Sequence, residues 1–199
     1  MDSYYMPLKM RHLSSPVGFV RPTQELPAKV GMDSPAIMTM TDLRQVGALT
    51  VEPHVSIEWA LTRMRVGGVR LLLVINPDGN VVGLITSNDI QGQKPLQLLG
   101  QMKVRRAEIR VRDIMTPTAE LECISLDEVL AASVGHVLET LRRTGRHHAL
   151  VCECDRRTGM PAIRGIFSAS RLSRQLGILF EPIEVATTFA EMESALIAG

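Results

Sequence analysis

The sequence predicts an α/β (α+β) fold: two repeats of βαββα type, related by a pseudo-two-fold axis and packed sheet to sheet, with an irregular N-terminal arm and a C-terminal helix. Two observations predict it. First, residues 56–74 (SIEWALTRMRVGGVRLLLV) align without a gap on residues 133–151 (SVGHVLETLRRTGRHHALV). Leu61 meets Leu138, Met64 meets Leu141, Arg65 meets Arg142, Gly68 meets Gly145, and Leu73-Val74 meets Leu150-Val151. Second, the run Leu71-Leu72-Leu73-Val74-Ile75 is apolar throughout, which describes a strand covered on both faces. One βαββα unit cannot cover both faces; a second copy can.

The elements follow in order. Residues 1–40 contain Pro7, Pro16, Pro22, Pro27 and Pro35 with no sustained period, so an extended arm or irregular cover is expected. The first repeat occupies 41–105 and the second 106–177. Asp42-Leu43 is matched with Asp113-Ile114 upstream, and Val82–Thr86 with Arg164–Ser168 downstream, the second copy having the longer hairpin loop. In the first copy Leu49–Glu52 reads as a short strand closed by Pro53. Ile57, Ala60, Leu61 and Met64 then recur at helical spacing, with Ser56 as N-cap and Gly67-Gly68 as the stop. Arg70–Ile75 and Asn80–Thr86 form a hairpin around Asn76-Pro77-Asp78-Gly79, and a helix starts beyond Thr86. Residues 178–199 add a helix with Val185, Phe189, Met192 and Leu196 on one stripe and a capping box at Thr188-x-x-Glu191. That helix packs on its own core or bridges to a second subunit.

Composition narrows the function. The 199 residues are 45% hydrophobic, only 4% aromatic and 22% charged, which argues against disorder and against membrane insertion. With 22 basic and 21 acidic residues there is no global field to attract nucleic acid, and Lys103–Arg106 and Arg142-Arg143 are short runs of the kind found on solvated faces. Cys123, Cys152 and Cys154 are an odd number and do not form a secreted disulfide framework, so a reducing compartment and a cytoplasmic location are expected. Cys152 and Cys154 share one face of a strand and, with His147 or His148, present a rival metal or redox site that could hold zinc. Against it, the spacing is not that of a zinc ribbon and there is no second cysteine pair. No P-loop, nucleophile elbow or His-Glu-x-x-His occurs, so no enzyme is expected.

Three segments carry a family likeness. They are Gly83-Leu-Ile-Thr86-Ser-Asn-Asp89-Ile90, the corresponding Gly165-Ile-Phe-Ser168-Ala-Ser-Arg171-Leu172, and Val111-Arg-Asp-Ile-Met-Thr-Pro117 between them. Together they resemble tandem CBS domains (Bateman modules) over residues 41–177. The resemblance implies a non-catalytic regulatory module that binds AMP, ADP, ATP or S-adenosylmethionine between the repeats and needs no resident cofactor. It further implies a homodimer that reports energy state to a regulated enzyme or transporter on another chain. The alternative is an interaction scaffold whose nucleotide sites have decayed.

Physical chemistry assigns roles at these positions. The strand-to-helix passage after Thr86 presents unpaired N–H groups and a helix dipole to an anion, and Thr86 either caps that helix or donates to a phosphate oxygen. Asp89 is acceptor-only when ionised, so its two oxygens suit a ribose diol; an acidic residue is also simply favoured in a first helical turn. Arg171 stands where the second copy would carry the aspartate. A guanidinium cannot copy the diol clamp, so the second site, with Ser168, either holds no nucleoside or turns Arg171 to phosphates. Arg70 and Leu71 open the middle strand, aligned with His147-His148, and the resemblance implies basic groups there directed at phosphates. The histidine pair also offers pH dependence near neutrality.

Overall fold

The computed structural model describes residues 8–10, 12, 22–102 and 105–180. Its first helix forms for the reasons the sequence supplies. Ile57, Ala60, Leu61 and Met64 are buried along one face of α1 (Ile57–Gly67), the Ser56 hydroxyl accepts from the Trp59 N–H, and Gly68 ends the helix in the left-handed region at φ 64°. Before α1 lie β1 (Thr41–Asp42) and β2 (Thr50–Val51); after it come β3 (Leu71–Ile75), β4 (Val81–Thr86), α2 (Ser87–Gln91) and α3 (Gln93–Met102). The second half runs α4 (Val111–Ile114), β5 (Thr116–Pro117), β6 (Cys123–Ser125), α5 (Leu126–Ala131), α6 (Val134–Arg143), β7 (His148–Cys154), β8 (Pro161–Ser168) and α7 (Ala169–Leu176).

The strands form two four-stranded sheets, β2-β3-β4-β5 and β1-β8-β7-β6. In each, a parallel pair (β2 with β3, β6 with β7) continues into an antiparallel hairpin. The fourth strand comes from the opposite half: β1 precedes the first repeat yet pairs with β8, and β5 precedes the second yet pairs with β4. The upstream alignment is corrected accordingly. Asp42 lies in a strand and Asp113 in a short helix, so the counterpart of Thr41-Asp42 is Thr116-Pro117, each preceded by a methionine, Met40 and Met115. Two isolated bridges obey the same symmetry: Pro35 with Ser133, and Ser56 with Arg110.

Alternation along β3 shows why its apolar run is continuous. Leu72 and Val74 point into the core beneath the first repeat's helices, with Ile57, Met64, Ile85 and Ile90. Leu71 and Leu73 point the other way, into a third cluster between the sheets with Leu84 and Leu150. The second repeat has its own helix-side core around Val137, Leu141, Val151, Phe167 and Leu172. At ~25 cal/mol per Å² of apolar surface, these three layers are the main source of stability.

The described part of the N-terminal arm is irregular cover with a fixed seat. Ala36 and Met40 are fully buried in the second repeat's core, Gln24 bonds to the Met40 carbonyl and the Asp42 N–H, and Gln175 donates to the Pro27 carbonyl. The second repeat also has a helix with no counterpart in the first. This is α5, whose Ser125 N-cap and Glu128 form a reciprocal capping box. Of the expected C-terminal helix, residues 181–199 lie outside the described residues.

The cysteines require a correction. Cys123 and Cys152 form a disulfide between β6 and β7, with Cα atoms 5.9 Å apart, while Cys154 is free and exposed. An odd count does not prevent one bridge, and the parallel register that sets Cys123 opposite Leu150 brings the two sulfurs together.

Candidate functional site

The β4–α2 junction organises the site. Thr86 is the N-cap of α2, and the capping box is reciprocal: the Thr86 hydroxyl accepts from the Asp89 N–H, while Asp89 Oδ2 accepts from the Thr86 N–H at 2.8 Å and from its hydroxyl at 2.7 Å. Asp89 Oδ1 meets Lys94 Nζ at 2.6 Å, and the same ammonium donates to the Ile114 carbonyl at 3.1 Å. The Asp89 carboxylate is therefore fixed on both oxygens. An ionised carboxylate offers about four lone-pair sites, so acceptor capacity remains.

Beside this junction opens a cleft of about 350 Å³. One wall is Thr86–Asp89 and Arg70 from the first repeat. Thr116 comes from β5, Glu120–Glu122 from the connection into β6, and Gly145–His148 from the approach to β7 and its first residue, with Leu84 and Leu150 on the floor. Charge is mixed and segregated by element: Arg70 and Arg146 are cationic, Asp89, Glu120 and Glu122 anionic. Arg146 and Glu122 pair at 2.8 Å across the cleft's second-repeat side.

His148 is strongly perturbed. Burial, and then the charges of Arg70 and His147, lower its pKa to about 4 against the opposing pull of Asp89, so the imidazole is neutral at pH 7. Its neighbour His147 stands edge-on to Phe180, ring centroids 6.1 Å apart. A neutral histidine beside an arginine suits a polar ligand group, and anionic oxygens brought into the cleft would favour the imidazolium.

Of the residues singled out from the sequence, Arg70, Thr86, Asp89, His147 and His148 line this cleft. Leu71, Ser168 and Arg171 are not among its lining residues. Leu71 is turned between the sheets because it opens β3 on the inward side of the pleat. The Ser168 hydroxyl meets that of Ser170 instead of capping α7. Arg171 has no ion pair among the described residues; burial, then the charge of Arg174, lowers its pKa from the ordinary arginine value. The cysteine–histidine zinc reading is also corrected, because Cys152 is bonded to Cys123. Among the described residues no group of three or more His, Cys, Asp or Glu is placed to hold a metal ion.

Sequence reasoning missed Glu120, Glu122, Arg146 and Lys94. The first three sit in connections, where periodicity is silent. Arg146 was nonetheless inside the aligned segment, next to His147, and Lys94 is five residues beyond Asp89, on the following helix. No described helix is long and apolar enough to cross a membrane.

Comparison with known proteins agrees with this architecture. The family model described as CBS domain matches residues 37–92. A conserved protein from Pyrococcus horikoshii is 30% identical with a TM-score of 0.52, over 72% of this chain and 92% of that one. A CBS-domain containing protein from Agrobacterium tumefaciens is 20% identical with a TM-score of 0.49, over 66% and 87%. The structure of CBSX2, a CBS-pair protein from Arabidopsis thaliana, in complex with AMP is 19% identical with a TM-score of 0.47, over 71% and 93%. No curated protein matches the sequence.

Proposed function

The chain belongs to the CBS-domain family as a tandem pair, and on that premise we propose that it is a non-catalytic regulatory module binding an adenosyl nucleotide in the cleft beside Asp89. The observation that carries this reading is the composition of the cleft. An acceptor-only carboxylate, Asp89, is presented at a helix start by the first repeat, while Arg70, Arg146 and two histidines line the same cavity. A ribose diol supplies two donors for the carboxylate, and phosphate oxygens or a carboxylate tail supply acceptors for the guanidinium groups. The apolar floor of Leu84 and Leu150 suits a base with little hydrogen-bonding demand there.

AMP, ADP, ATP and S-adenosylmethionine all satisfy this chemistry, and calorimetric titration of each ranks them. At about 100 Kd a true ligand adds roughly 2.7 kcal/mol to the unfolding free energy, so a thermal scan detects it independently. No heat and no shift with any of the four would remove the nucleotide reading and leave an interaction scaffold. The same proposal includes a cytoplasmic homodimer whose subunit surface responds to the ligand and is read by an enzyme or transporter on another chain. Light scattering with and without ligand tests the first part.

A further inference from the structure

Among the described residues β6 is a three-residue strand at the edge of its sheet, hydrogen-bonded to β7 alone. Its N-terminal side continues directly into Glu122, Leu121 and Glu120, which line the cleft, and Leu150 of β7 lies on the cleft floor opposite Cys123. So short an edge strand is held by few backbone bonds and is among the first parts of a fold to open. The Cys123–Cys152 bridge crosses this one seam. Cys123 is an exposed residue and Cys152 a half-buried one, which sets the bridge at the protein surface. An accessible bridge is the labile kind.

We propose that Cys123 and Cys152 are a reversible dithiol–disulfide site that takes a low-molecular-weight thiol, and that its oxidation state sets the firmness of the Glu120–Glu122 wall. The second half of the proposal rests on the reading of the cleft as a nucleotide site; the first does not. Chemically, a thiolate from the first small thiol attacks the Cys123 sulfur, forming a mixed disulfide and expelling Cys152 as thiolate. A second small thiolate attacks the mixed disulfide on its non-protein sulfur, expelling the Cys123 thiolate and leaving the small-molecule disulfide. The two protons given up by the small thiols end on Cys123 and Cys152. Two electrons pass to the protein, and the reverse sequence, driven by the small-molecule disulfide, restores the bridge. In the oxidised form β6 is fastened and Glu122 stays paired with Arg146; in the reduced form the strand is held by its backbone bonds alone.

The test uses the full chain carrying Cys154→Ser, which removes the free thiol from the count. The protein is equilibrated in glutathione buffers of graded poise, trapped by alkylation and weighed intact. The expected result is a single two-thiol transition, reversible in both directions. Amide exchange across residues 118–126 is expected to quicken at least about tenfold on reduction, and AMP affinity to weaken about fivefold. Cys123→Ser, at the exposed position, should mimic the reduced form in both buffers. Two thiols that stay reduced in oxidised glutathione, or exchange and AMP affinity that are the same in both states, would overturn the proposal. If AMP binds neither state, the nucleotide reading of the cleft fails, and the mass transition with the exchange difference alone decides for or against the redox site.

Discussion

Met40 lies directly over Gly165: a Cβ on that glycine would overlap the methionine sulfur. The symmetry-related pair repeats the arrangement, a Cβ on Gly83 falling 2.9 Å from Met115 Sδ and 2.7 Å from the Thr116 carbonyl oxygen. The absent side chains let each exchanged strand approach its host. Gly165→Ala should therefore cost about 1–3 kcal/mol, the usual effect of forcing extra volume into a packed core. Gly100→Ala, with nothing within 4 Å of the added carbon, should cost nothing or stabilise slightly. Urea denaturation of the two variants separates the cases.

A part-buried ion cluster fastens β1 from the other side. Arg164 is doubly bonded to Asp42 and reaches Glu153 at 3.3 Å, with side chains only 12–17% exposed, and Arg44 completes the cluster on Glu153 at 2.6 Å. Burial alone would raise the Asp42 pKa, but the Arg164 hydrogen bond, the Arg44 N–H and the Arg164 charge together leave it lowered. Arg164→Met should destabilise by about 3 kcal/mol, because two carboxylates lose their shared cation. The double variant Arg164→Met with Asp42→Leu should recover part of that loss, which denaturation measures directly.

Asp89 has two duties that substitution can divide. Asp89→Ala leaves the Thr86 cap but removes the reciprocal half of the capping box and the Lys94 partner, at about 1 kcal/mol of stability, together with the diol acceptor, weakening AMP by at least about tenfold. Asp89→Asn keeps an oxygen for the Thr86 N–H, so stability should hold while affinity still falls. Calorimetry beside thermal unfolding reads both; equal affinity in all three proteins would place the ligand elsewhere.

His148 predicts a pH signature without ligand. Its pKa is lowered to about 4 in the folded chain from an ordinary 6.5, so below pH 6.5 the unfolded chain binds a proton that the native one refuses. The resulting stability is complete above pH 6.5 and is lost as pH falls toward 4, in total about 3 kcal/mol. His148→Gln should flatten that part of the profile. Saturating AMP should do the same if its phosphate lies beside the imidazole, with proton uptake on binding at pH 5.5.

The duplication and most element positions were legible because helix capping, hairpin turns and a two-sided apolar strand each leave a local trace, as at Ser56, Gly68 and Leu71–Ile75. The destination of β1 and β5 was not legible. Each has two residues, too few for a period, and each pairs with a strand far along the chain. That blindness is also why Asp42 was matched with Asp113. α5 was legible in principle, since Ser125-Leu-Asp-Glu128 is a capping-box signature preceding an apolar residue. In the cleft, residues on or immediately beside the aligned strands and α2, such as Arg70, Asp89 and His147, were found, and Glu120 and Glu122, in the connection before β6, were not. The Cys123–Cys152 contact depends on which strands are neighbours, a fact of topology that three cysteine positions do not contain.

The reciprocal loan of β1 and β5 means that severing the chain between the halves yields no self-sufficient piece. Each fragment would miss one border strand and bare a row of unsatisfied amides along the sheet it left unfinished, an invitation to aggregate. Heritable change in such a protein has to treat the couple as its smallest working unit, so either half is free to lose its own ligand chemistry, as Arg171 in the aspartate's place suggests, while remaining indispensable as a scaffold for its twin.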